Sequence, residues 1–215
     1  MFRQTRWGGA GLMGDSIIAT MDTYDQRIYA IGKGPSDISI TIQNDIVTFG
    51  HDVLVKGMVT DISAGTKDYA VAARFPDGVP AVADDNQSEW MLYVYKQFAR
   101  PADVMGVDVT LTVVDPNGNC YDVATTTSNA DGFYSAMFTP IVPGKYTVYA
   151  TFAGSKAYWG SSAATAINVE EAHATEAPTP TPQSLADIYI LPMSIIIIIA
   201  VIVIGIVIIL MLRKR

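Results

Sequence analysis

The feature that most constrains this chain is its carboxy-terminal run from Ile188 to Leu212, which contains no charged side chain and is followed directly by Arg213-Lys214-Arg215. About 25 residues at ~1.5 Å per helical residue reach roughly 37 Å, more than the ~30 Å of a bilayer's hydrocarbon core. A soluble helix of this length keeps a polar face, and this one has none to offer. The run therefore predicts a single transmembrane helix, with Ile188 and Leu212 as the ends of the anchor and Arg213, Lys214 and Arg215 as a basic stop. No Asp, Glu, Lys, Arg or His lies inside it, so no proton or ion path is expected. Gly205 has Val201 and Ile209 four residues to either side, so no small-residue pairing motif is present. Pro192 is expected in the first turn, where its missing N–H costs little.

The remainder is acidic. The sequence carries 14 Lys and Arg against 21 Asp and Glu, a net charge of −7, and becomes more acidic still when the three terminal basic residues are set aside. Such a surface repels phosphate backbones and anionic headgroups, which disfavours nucleic acid as a partner. Cys120 is the only cysteine, so an intramolecular disulfide is excluded, and its strand-like context predicts a small buried side chain. His51 and His173 are the only histidines, which starves histidine-based catalysis or metal binding. The basic stop assigns the carboxy terminus to the cytoplasm and residues 1–187 to the outside. The segment from Met1 to Gly9 lacks the apolar core of a signal peptide, leaving two readings: a tail anchor with a cytoplasmic head, or the end of a longer exported protein. The second is favoured.

Period-two patterning dominates the middle. Asp15 to Ile31 reads as two short strands around a polar turn, a unit too small to be stable alone. Ile38, Ile40 and Ile42 alternate with polar neighbours, as do Val53, Val55, Gly57 and Val59. Val107 to Val113, the turn Asp115-Pro116-Asn117-Gly118-Asn119, and Tyr121 to Thr125 read as a hairpin. Further strands are expected over 133–139, 145–152 and 163–169. Seven strands separated by turn residues, with no long helix among them, predict an all-β antiparallel β-sandwich. Residues 69–100 break the rhythm as an inserted loop, in which Ser88 is placed to cap a short helix carrying Trp90, Tyr93 and Val94, an edge strand being the alternative. Residues 170–184, with alternating proline from Pro178 to Pro182, predict an extended stalk.

Few constellations carry chemistry. Asp115, Asn117 and Asn119 have the opening spacing of a calcium loop but lack its closing carboxylate, so a hairpin turn is the expected reading. Asp84, Asp85 and Glu89 are weak metal candidates, otherwise a solvated acidic loop. Asn86-Gln87-Ser88 is an N-glycosylation sequon. No nucleophile elbow, zinc-protease helix or phosphate-binding glycine loop occurs, so no catalytic or cofactor-binding residue is assigned.

Two resemblances add to this reading. The Asp131-Gly132 turn, Pro143-Gly144-Lys145-Tyr146-Thr147-Val148 and Phe152-Ala153-Gly154-Ser155-Lys156-Ala157-Tyr158 resemble the ends of immunoglobulin-like domains on bacterial and archaeal surface proteins. The stretch Arg27-Ile28-Tyr29-Ala30 to Gly32-Lys33-Gly34 resembles the last blade of the β-propeller repeats of pyrroloquinoline-quinone-dependent dehydrogenases, although about thirty residues cannot assemble a quinone site. The implied organisation is a blade-like remnant (1–34), an immunoglobulin-like sandwich (35–169, insertion about 69–100), a stalk (170–184), a membrane helix (185–212) and a cytoplasmic stop (213–215). The expected function is a non-enzymatic, single-pass cell-surface protein with an adhesion or envelope role, the carboxy-terminal part of a larger quinone-type propeller-repeat surface protein. Its expected partners are the lipid bilayer and a surface protein or glycan. The alternatives are a fragment of a quinone-dependent dehydrogenase and a tail-anchored cytoplasmic binding module.

Overall fold

Three sheets and one terminal apolar helix organise the computed structural model, which describes residues 11–172 and 185–214. One compact unit ends at Ala172 and a second begins at His173. The first sheet is antiparallel, in the order β1 (Leu12–Gly14), β2 (Ile17–Asp22), β3 (Arg27–Ile31). Asp15 and Ser16, at φ 49° and 62°, make the two-residue reversal that joins β1 to β2. The expected pair of strands therefore has a third beside it. The register gathers Leu12, Ile17, Ala19, Met21, Ile28 and Ala30 on one face, and Leu12 and Ile28 there are 75% and 77% exposed. Thr20 and Asp22 point to the other face and are buried.

The following strands are β4 (Ser36–Ile38), β5 (Thr41–Ile42), β6 (Ile46–Thr48), β7 (Val53–Asp61), β8 (Val79–Pro80), β9 (Asp108–Val114), β10 (Cys120–Thr127), β11 (Phe133–Phe138), β12 (Gly144–Phe152) and β13 (Ser161–Glu170). One five-stranded sheet runs β10-β9-β12-β13-β6, and the third sheet is built on β7, which pairs with β11, β4, β5 and β8. These two sheets share one buried core. Val109, Leu111, Val113, Tyr146, Val148, Ala150, Phe152, Ile167 and Val169 meet Ile38, Val53, Val55, Val59, Tyr134 and Phe138 in it. Burying each such side chain contributes about 1.5–3 kcal/mol, which is why the alternating residues decide the strand faces.

β4 and β5 behave as one interrupted strand. Their register on β7 is continuous, with Ile38 opposite Val59 and Thr41 opposite Lys56, so Ile38, Ile40 and Ile42 keep a common inward face. At the break, Ser39 N–H donates to Met58 O (2.9 Å) while Ser39 Oγ accepts from Met58 N–H (3.1 Å). Gly57 makes room for what crosses there. Tyr134 lies opposite Gly57 on β11 and its hydroxyl donates to Ser39 O (2.7 Å), through space that a Cβ on Gly57 would enter to 2.4 Å from the hydroxyl and 2.0 Å from the carbonyl.

The structure departs from the sequence reading in several places. The arrangement is not wholly antiparallel, because β6 runs parallel to β13 with Ile46 opposite Asn168 and Thr48 opposite Glu170. At three residues β6 is too short to show a period. Cys120 is exposed, since β10 turns Tyr121 and Val123 toward the core and leaves Cys120 on the other side. Much of the 69–100 insertion is helical, with α1 (Tyr69–Arg74) and α2 (Gln87–Lys96). These helices have their own core of Val71, Val79, Val82, Trp90 and Val94, with Phe75 and Tyr93 packed against it. Trp90 and Val94 are one helical turn apart and so share the buried face. Asp68 caps α1 by accepting from Ala70 N–H (3.0 Å), whereas Ser88 lies within α2 and caps nothing.

In the second unit, α3 (Leu185–Arg213) includes a stretch, Ile188–Arg213, long and apolar enough to cross a membrane. Pro192 is inside this helix and not in its first turn, because the helix begins at Leu185, ahead of the apolar run. Of the segment expected as a stalk (170–184), Glu170 is the last residue of β13, paired with Thr48 of β6, and residues 173–184 lie outside the described residues, as does Arg215.

Candidate functional site

Several long-range polar contacts sit where the helical insertion meets the β framework and the N-terminal sheet. Asp84, in a short 3-10 turn before α2, binds the loop between β12 and β13. Its Oδ1 accepts from Ser155 Oγ (2.7 Å) and Ala157 N–H (3.0 Å), and its Oδ2 from Lys156 N–H (3.0 Å). Burial raises its pKa, but these donors outweigh it and hold the carboxyl below its usual 3.8. Asp85 and Glu89 are exposed, and among the described residues no group of three or more His, Cys, Asp or Glu is placed to hold a metal ion. The structure thus uses Asp84 as a clamp on the 155–157 loop.

Asn86, the sequon asparagine, is half-buried and uses both ends of its amide. Nδ2 donates to Asp103 O (3.1 Å) and Oδ1 accepts from Met105 N–H (2.9 Å). Asp115 forms the expected turn: its Oδ1 accepts from Asn117 N–H (2.9 Å) and Asn119 N–H (2.8 Å), and its Oδ2 from Asn119 Nδ2 (2.9 Å). The bond from the Asn119 side chain leads the causes that lower its pKa.

A lysine latch joins the first sheet to α2, and nothing local in the sequence signals it. Lys96 Nζ donates to Asp22 Oδ2 and to Asp25 Oδ2 (2.7 Å) and sits 4.3 Å from the centre of the Tyr29 ring. Tyr29 OH donates to the same Asp25 oxygen (2.6 Å). The Lys96 bond, followed by that from Tyr29, lowers the Asp25 pKa to about 2. More than seventy positions separate Asp22 from Lys96, so only the fold brings them together.

Beside the latch is a cleft of about 330 Å³, lined by Tyr24, Arg27, Val71, Arg74, Tyr95 and Gln97 among others. Its arginines already have structural roles. Arg74 donates from Nη1 to Val94 O (3.1 Å) and from Nη2 to Tyr93 O (3.2 Å), closing the end of α2. Arg27 pairs with Asp68 at 3.7 Å. The lining joins the β2–β3 turn to both helices. Asp61, buried at the end of β7, accepts from Ser63 N–H (2.8 Å), and burial raises its pKa. In the second unit, Ile188 and Leu212 are exposed on α3, with Arg213 and Lys214 exposed at its end.

No family model matches the chain, and no curated protein does. Several solved structures are similar to it. They include the tetra-tandem repeat in the extending region of a large adhesion protein, at 17% identity and a TM-score of 0.39 over 72% of this chain and 30% of that one. A β-glucosidase from Listeria innocua in complex with glucose matches at 10% identity and a TM-score of 0.31, over 66% of this chain and 17% of that one. Spo0M, a sporulation control protein from Bacillus subtilis, matches at 14% identity and a TM-score of 0.29, over 65% and 51%. The chain spans about half of the last protein's length and less than a third of the first two. Likenesses at these scores carry no argument about function.

Proposed function

We propose that this chain is a single-pass membrane protein that displays an immunoglobulin-like β-sandwich outside the cell and serves adhesion or envelope architecture without catalysis. The observation that carries the reading is α3, whose Ile188–Arg213 stretch is long and apolar enough to cross a membrane. An apolar helical surface of that length is solvated by hydrocarbon far better than by water. Arg213 and Lys214 at its end support a cytoplasmic carboxy terminus, and with it an external β-built head. The shared core of the two larger sheets, with seven of its strands near the expected positions, supports the immunoglobulin-like assignment. Asp84, Asp115 and Lys96 are held by structural partners, which supports reading the head as a display domain. The head's ligand is then a surface protein or glycan.

The test pairs two measurements on cells expressing the full chain with a carboxy-terminal tag. Alkaline carbonate washing should leave the tagged chain in the membrane pellet. Protease added to intact cells should release the head while the tag stays protected. Extraction into the carbonate supernatant would refute the anchor, and a protease-resistant head on intact cells, cleaved only after lysis, would refute the orientation and favour a tail-anchored cytoplasmic module.

A further inference from the structure

We draw no further inference here: the strongest candidate, the outward apolar face of the β1–β3 sheet formed by Leu12, Ile17, Ala19, Met21, Ile28 and Ala30, carries nothing because no feature of the structure shows what covers it.

Discussion

Trp90 separates two contributions to the helical insertion. Its side chain is fully buried, 5.3 Å from Tyr93 and 6.0 Å from Phe75 between ring centres, yet its indole Nε1 has no hydrogen-bond partner among the described residues. Replacing a buried Trp by Ala typically costs about 3–5 kcal/mol. An unsatisfied buried N–H costs about 1–3 kcal/mol, so removing it returns part of that loss. Trp90→Ala should therefore destabilise by roughly 3 kcal/mol, which for a domain of this size lowers Tm by about 6–12 °C. Trp90→Phe keeps most of the ring contacts, leaves a cavity worth about 1 kcal/mol at ~24 cal/mol per Å³, and also removes the orphan donor. It should stay within about 1 kcal/mol of the parent. Urea and thermal unfolding of residues 1–172, followed by circular dichroism, distinguish the two outcomes. If Trp90→Phe costs as much as Trp90→Ala, the indole N–H is a stabilising donor and the argument fails.

Three further outcomes are expected. Gly57→Ala should destabilise by about 3 kcal/mol in urea titrations, because its Cβ forces the Tyr134 hydroxyl off Ser39 O. Lys96→Met should abolish hydrogen-exchange protection in β2 while β12 keeps its own, since the mutation removes the latch and leaves the main core intact. The acids should act on pH dependence with opposite signs. Asp61 has a raised folded pKa, so its contribution is most favourable below 3.8 and is lost as pH rises through the folded value; Asp61→Asn should remove that decline from Tm measured against pH. Asp84 has a lowered pKa, so its contribution is present above 3.8 and is lost as pH falls through the folded value, a loss that Asp84→Asn should eliminate.

What the sequence made legible was whatever repeats over short distances. Ile38, Ile40 and Ile42 held their common face even where the strand is interrupted at Ser39, because β4 and β5 keep one register on β7. The Asp115 turn was readable because all its partners lie within four residues. Cys120 misled, because strand context alone does not say which face an end residue takes, and Tyr121 and Val123 decided it. The insertion's irregular composition concealed α1 and a second core that draws Val71 together with Trp90 and Val94, about twenty positions further along the chain. The roles of Asp84 and Lys96 were illegible for the same reason, since their partners lie about seventy positions away. The acidic cluster at 84–89 thus read as a solvated loop or metal site, whereas the fold directs Asp84 inward.

The position of β13 gives the head a mechanical property. This strand is the last of the unit that ends at Ala172, and every residue from Ser161 to Val169 is paired with β12, while its final residues are also flanked by β6. A force applied along β13 acts across hydrogen bonds that lie perpendicular to it. Such a force loads those bonds together in shear and does not open them one at a time like a zipper, so β13 resists being drawn along its own axis more than being peeled from its edge.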